Sequence, residues 1–160
     1  MKTMIVSTRR LLMLSAVFTL LVLLTPDLAA QQLLYAEIQS APPTTSQQFV
    51  PIQGLTFTLP AQSPTQNVAL VILDVPQPFS SGNDTPGAQF AITVAGVLVA
   101  HGGFTYTDKI PTSFGRMPTT IVVRVPLVST QRVVKAEWRS VRNSKAQIDS
   151  FASLSAIIFR

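Results

Sequence analysis

Cysteine is absent from the 160-residue sequence. That excludes a disulfide scaffold, thiolate zinc sites, iron–sulfur clusters and a lipid-modified N-terminal cysteine. Histidine occurs once, as His101, so a histidine-built metal centre is excluded too. Charge is sparse, at 12% of residues against 47% apolar ones. This rules out a disordered polyelectrolyte, and the lack of like-charge blocks argues against a protein that wraps nucleic acid. There is no phosphate-cradling glycine loop, no Gly-x-Ser-x-Gly elbow and no EF-hand spacing. Lysine and arginine are missing altogether from residues 31–108, which hold Glu37, Asp74, Asp84 and Asp108. The two parts of the chain are electrically unlike, which permits a polarised surface or complementary subunit faces.

The N-terminus is the one strongly patterned stretch for targeting. Lys2, Arg9 and Arg10 precede a predominantly apolar run from Leu11 to Leu24, followed by Pro26 and the small pair Ala29-Ala30. Charged, apolar and cleavable regions in that order predict a secretory signal peptide over residues 1–30. Fourteen residues at the helical rise cover about 21 Å, short of a hydrocarbon core of roughly 30 Å. Cleavage is therefore expected over retention as an anchor, and the protein is expected to be secreted or held in the periplasm or cell envelope. Membrane contact then comes only through the leader. The leader also holds Asp27, so its loss takes the 12 basic and 7 acidic residues down to 9 and 6, a net charge of +3. That modest charge speaks against dedicated nucleic-acid binding.

Residues 31–47 include the Pro/Thr/Ser/Gln-rich run APPTTSQQ at 41–48 and are expected to form an extended lead-in or linker. Tyr35 to Gln39 within it fits a short strand or the tail of the leader. Residues 48–160 then read as β-structure. Leu55, Phe57 and Leu59 alternate with Thr56 and Thr58, the period of a half-buried strand. Val68–Val75 is continuous and β-branched, which predicts a strand covered on both faces. Phe79–Gly87 is rich in turn formers. Gln89–Ala100 folds back around Ala95-Gly96 as a tight hairpin, with Gly96 supplying a positive φ. Gly102–Pro118 is expected as a long loop. Thr119–Leu127 and Ser153–Phe159 alternate again. Gln131–Lys145 fits a strand with Val134, Ala136 and Trp138 inward. It also fits a helix with a basic stripe of Arg132, Lys135, Arg139 and Arg142; the strand reading agrees with its neighbours. The whole predicts an all-β protein: a single jelly-roll-type β-sandwich of about seven to eight antiparallel strands after the signal peptide.

The order FVPIQGLTFTLP, NVALVILDV, PGAQFAITVAG, IVVRVPL, VVKAEWRSV and SLSAII resembles the jelly-roll, tumour-necrosis-factor-like β-sandwich domains of secreted bacterial proteins and phage tail fibres. The likeness covers about residues 48–160 and rests on that strand order, on Gly54 and Gly96, and on the Trp138 strand. No catalytic motif accompanies it. It implies a non-enzymatic structural or binding module that forms a homo-oligomer, commonly a trimer.

Chemistry-bearing residues are few. His101 with Ser113 or Ser150 and Asp108 contains the residue types of a hydrolase triad, but lacks the elbow that would present the serine. Asp74, Asp84, Asp108, Asn83 and Ser81 are oxygen donors that calcium accepts, although their spacing matches no known loop and turn chemistry accounts for them. Glu137 and Asp149 could pair as acid and base, but their spacing on different strands carries no specific signal. Asn83-Asp84-Thr85 is a glycosylation sequon, meaningful in a eukaryotic secretory pathway. The best candidate ligand or partner contacts are Phe104, Tyr106 and Phe114 with Lys109 and Arg116 in the long loop, and Lys135, Arg139 and Arg142 on the basic segment. Rings can stack on sugars and cations can meet acidic groups, while the same rings can instead close the open end of a sandwich. No enzyme activity and no cofactor are expected. A structural or interaction module leads, and a carbohydrate-binding module using the 102–118 aromatics is the alternative.

Overall fold

The computed structural model describes residues 31–82, 84–111 and 113–160. The predicted signal peptide therefore lies outside the described residues. Eleven strands occur among them. They are β1 (Gln32–Ile38), β2 (Ala41–Thr44), β3 (Val50–Leu59), β4 (Val68–Val75), β5 (Pro78–Ser81) and β6 (Gly87–Val94). Then come β7 (Val97–Thr105), β8 (Thr119–Pro126), β9 (Arg132–Val141), β10 (Lys145–Ile148) and β11 (Ala152–Phe159).

Eight long strands make two antiparallel sheets, β1-β11-β4-β8 and β3-β9-β6-β7, and the three four-residue strands add a short sheet β2-β10-β5. Counting only the long strands, the first sheet takes strands one, eight, three and six, and the second takes two, seven, four and five. That interleaving is the jelly roll: each sheet collects alternate arms of two Greek keys. The edges draw together, with β1 beside β3 and β7 beside β8.

The period-2 pattern decides which side chains meet between the sheets. The first sheet sends in Val71, Leu73, Leu154 and Ile158, and the second sends in Leu55, Phe90, Ile92 and Val134, all fully buried. Phe90 and Trp138 stack with ring centroids 6.3 Å apart. Each large apolar side chain so buried contributes roughly 1.5–3 kcal/mol. Within Gln131–Lys145, Arg132–Val141 is strand, with Val134, Ala136 and Trp138 inside. The helical alternative would have turned that apolar line away from the core.

The β6–β7 hairpin turns where the dipeptide predicts, with φ of +52° at Ala95 and +79° at Gly96. Positive φ at both central residues matches the right-handed twist of the flanking strands. Gly54, at φ +89°, sits in an irregularity of β3 where Pro51 pairs with Glu137 but Thr56 pairs with Lys135. A Cβ there would lie 2.8 Å from Ile38 Cγ2. Glycine thus lets the β3 edge close against β1.

Several boundaries differ from expectation. Residues 31–47 carry two strands, with β1 adding to the first sheet against β11 over the register Gln32↔Ile158 to Ile38↔Ala152. Polar composition hid β2, whose Ala41 and Thr44 pair with Ile148 and Ala146. The Phe79–Gly87 loop is shortened because Pro78–Ser81 forms β5 against β10. Proline can start an edge strand, since no ladder donor is needed from it there. The Gly102–Pro118 loop begins later, because β7 runs through both glycines to Thr105. Finally, Val68–Val75 is buried on its inner face, but Leu70 and Ile72 on its outer face are half-exposed.

Candidate functional site

The end of β7 and the loop after it hold a group of aromatic rings. Phe104 and Tyr106 meet edge to face at 5.6 Å, and Tyr106 and Phe114 at 6.0 Å. Phe104 leans on the core. The Tyr106 hydroxyl donates to the Gly115 carbonyl at 2.5 Å, and its backbone N–H donates to Pro86 at 2.9 Å. Burial raises the Tyr106 pKa above its ordinary value. These rings spend much of their faces on one another. Arg116 lies over Phe79 at 4.2 Å, donates to the Phe114 carbonyl and pairs with Asp149. Lys109 is exposed, and its carbonyl receives the Thr85 N–H at 3.0 Å.

The basic candidates lie elsewhere, on β9 and the turn after it. Lys135, Glu137 and Arg139 point outward from the second sheet, opposite Thr93, Ala91 and Gln89 of β6. Arg139 directs both Nε and Nη2 at Gln89 Oε1, at 2.9 and 2.6 Å. It also sits 4.8 Å from the centre of the Phe49 ring. Glu137 accepts from Thr93 Oγ1 at 3.3 Å. Arg142 holds the Thr85 hydroxyl and carbonyl at 2.7 and 3.2 Å.

Between these groups, on β7, the surface is bare. Gly103 is exposed, and a Cβ there would fall 2.2 Å from the Ala88 carbonyl oxygen and 2.7 Å from Gln89 Cα. No side chain fits. The result is an open depression of about 320 Å³, lined by Gln89 and residues 101–105. Small-molecule sites run from about 300 to 1,000 Å³, so it is large enough for one small ring. His101 stands on its rim, across from Ala91. Sequence reading had singled out His101 and Arg139 but not Gln89 or Gly103. The signal available was Gln89, a polar residue near the start of a mostly apolar central strand.

The other constellations are not assembled. No hydrogen bond among the described residues joins His101 to Ser113, Ser150 or Asp108. Among the described residues, no three His, Asp or Glu come together as a metal cage. Asp74 accepts from Thr120 Oγ1 at 2.7 Å on the outer face of the first sheet. Glu137 and Asp149 engage different partners, Thr93 and Arg116. Asn83, named as a donor and a sequon residue, lies outside the described residues.

The outer face of the first sheet is of another kind. Its register aligns Tyr35, Ser155, Ile72 and Val122 in one row and Leu33, Ile157, Leu70 and Arg124 in the next. Leu33, Tyr35 and Val122 are 65%, 52% and 54% exposed. A third row, Glu37, Ser153, Asp74 and Thr120, closes one end with negative charge. The Tyr35 hydroxyl donates to Glu37 Oε2 at 2.7 Å, and that bond raises the Tyr35 pKa.

A model of the Bc2l-C N-terminal domain matches residues 37–157. No curated protein matches the chain. Among solved structures, latent PorU from Porphyromonas gingivalis superposes at TM-score 0.50 and 9% identity over 81% of this chain. The chain spans 13% of the length of PorU. The CBM36-1 domain of a multidomain xylanase from the hindgut metagenome of Trinervitermes trinervoides aligns at TM-score 0.39 and 11% identity, over 78% of this chain and 96% of its own. A family 35 carbohydrate-binding module from Clostridium thermocellum aligns at TM-score 0.34 and 13% identity, over 78% and 97%. At such identities likeness extends to fold alone, and of these three the PorU match superposes closely enough to support it.

Proposed function

The chain belongs to the Bc2l-C N-terminal domain family, and on that premise we propose that it is an exported, non-catalytic, carbohydrate-binding module. Membership of a family of lectin-like β domains is the observation that carries this reading. The geometry is compatible with it in one respect above others. The outer face of the second sheet offers a shallow depression floored by the Gly103 backbone beside planar hydrogen-bonding groups, the kind of surface on which a sugar ring is held. Phe104 lines that depression and is met in turn by Tyr106, which packs on Phe114. Export follows from the leader pattern. The test is a glycan array probed with the purified protein. Retention on a defined set of glycans is expected; a blank array across all saccharide classes overturns the proposal.

A second property belongs to this reading, self-association. The outward Leu70 and Ile72 of β4 are apolar, yet they meet no covering layer among the described residues. The face they share with Leu33, Tyr35 and Val122 is apolar in its middle and oppositely charged at its ends, with Glu37 and Asp74 at one and Arg124 at the other. A second copy of the same chain supplies both the apolar match and the complementary charge. The tumour-necrosis-factor-like resemblance implies a trimer. Sedimentation of the protein is expected to give a stable multiple of the monomer mass; a strict monomer at high concentration removes the claim.

A further inference from the structure

We propose that the end of the sandwich bearing the β6–β7 turn docks on an anionic lipid bilayer. Ala95–Val99 enters the interface, and Arg132, Lys135 and Arg160 meet the headgroups. This stands apart from the carbohydrate-binding reading and replaces the expectation that membrane contact comes only through the leader.

Strand pairing defines that end. Leu59 pairs with Arg132, Val94 with Val134, and Val68 with both Phe159 and Pro126. The ends of β3, β6, β8 and β11 therefore lie with the starts of β4, β7 and β9. There Ala95–Val99 is exposed throughout and carries no polar side chain. Val97, Leu98 and Val99 are 65%, 46% and 39% exposed. The turn projects, since a Cβ added at Gly96 meets nothing within 4 Å. Val133, itself 43% exposed, adjoins it, because its carbonyl accepts the Ala95 N–H at 2.8 Å. A contiguous exposed apolar patch of this kind marks an interaction surface.

Charge identifies what the surface meets. Lys135 and Arg160 are exposed, Arg132 is half-buried and donates to the Pro126 carbonyl, and none of the three forms an ion pair among the described residues. No carboxylate side chain offsets them at this end. Glu37, Asp74, Asp84, Asp108 and Asp149 all lie towards the opposite end, and Glu137 sits midway along β9, where it accepts from Thr93. Lys135 stands two residues behind Val133, about 7 Å at the strand rise. Amphipathic elements at a bilayer surface bury their apolar face about 5–10 Å deep, so the ammonium group reaches the phosphates when the turn is in. A projecting apolar tip with cations set behind it fits an apolar layer beneath anionic headgroups; a protein partner would need a groove of matching shape.

The experiment exploits the absence of cysteine. Leu98→Cys and, at the opposite end, Thr107→Cys are each labelled with an environment-sensitive fluorophore. They are mixed with vesicles of phosphatidylcholine alone or of phosphatidylcholine with phosphatidylserine. On the mixed vesicles the Leu98→Cys label is expected to shift to the blue while the Thr107→Cys label keeps its aqueous emission. Neutral vesicles are expected to bind at least about tenfold more weakly. In cosedimentation without labels, Leu98→Asp is expected to lower affinity by about tenfold or more and Lys135→Gln by about fivefold, both with melting temperatures close to the parent. The predicted leader is common to every variant, so binding through it alone leaves the Leu98→Cys label in water. A label at Leu98→Cys that stays unshifted on mixed vesicles overturns the proposal. So does an equal response on neutral vesicles, an equal shift at Thr107→Cys, or Leu98→Asp binding as tightly as the parent. Each of these results leaves the carbohydrate reading to its own test.

Discussion

The two sheets of this sandwich share one inner code and carry opposite outer ones. Inside, both present close-packed aliphatic and aromatic side chains at every second position. Outside, β1, β4 and β8 show Leu33, Tyr35, Leu70, Ile72 and Val122, whereas β6, β7 and β9 show Gln89, His101, Gly103, Glu137 and Arg139. Stability depends on the inner faces, which any jelly roll must satisfy. The contrast lies outside: one face is apolar, and the other is polar with a floor of bare backbone at Gly103. The two faces lie on opposite sides of the sandwich, so the proposed assembly and the proposed ligand contact would not compete for surface.

If the inner faces are equivalent, truncations on either sheet should cost alike. Phe90→Ala in the second sheet is expected to lose about 3–5 kcal/mol and Leu154→Ala in the first about 2–5 kcal/mol, read by chemical denaturation. A loss below 1 kcal/mol at either would break the symmetry. The corner where the sheets meet should be the next most sensitive place. Gly54→Ala imposes a left-handed conformation on a residue with a Cβ and pushes it at Ile38, and is expected to cost about 1–3 kcal/mol. Wild-type stability in that variant would show that β3 and β1 can separate cheaply.

The outer faces should separate association from folding. Val122→Lys is expected to weaken self-association by about tenfold or more in sedimentation, while unfolding of the protein changes by less than about 0.5 kcal/mol. The same substitution strategy on the polar face, His101→Ala, is expected to leave association untouched. The smallest effect contrasts two tyrosines. Both Tyr35 and Tyr106 are held above the ordinary phenol pKa of 10.0, the first chiefly by its bond to Glu37 and the second chiefly by burial. Because folding raises these values, the stability they contribute is present below pH 10 and is lost as pH climbs through the folded values. Ultraviolet titration should find both less than half ionised at pH 10. Glu37→Gln should return Tyr35 towards 10 and leave Tyr106 where it is.

Much of the fold was legible in the residues because it rests on local alternation. The strands at Val50–Leu59, Thr119–Pro126 and Ala152–Phe159, the Ala95-Gly96 turn and the inward line of Val134, Ala136 and Trp138 all follow from a two-residue period and from turn chemistry. Ala41–Thr44 and Pro78–Ser81 escaped because short proline-bearing strands have no such period; they form because β10 offers them a partner. The candidate site was less legible still. Arg139 reads as one more surface cation until Gln89, fifty residues away in sequence, is seen to receive its fork.

Alternation along the chain thus determined that this protein is a two-layered β-structure, with its apolar residues assigned to the inside strand by strand, because side-chain direction in a strand is a property of sequence position alone. Only the tertiary structure decided which strands became neighbours. That choice placed Gly103 beside Gln89 and Arg139, and aligned Leu33, Leu70 and Val122 on one surface. Strand pairing joins residues far apart in sequence through backbone hydrogen bonds that every residue can make, so no local pattern reveals its partner.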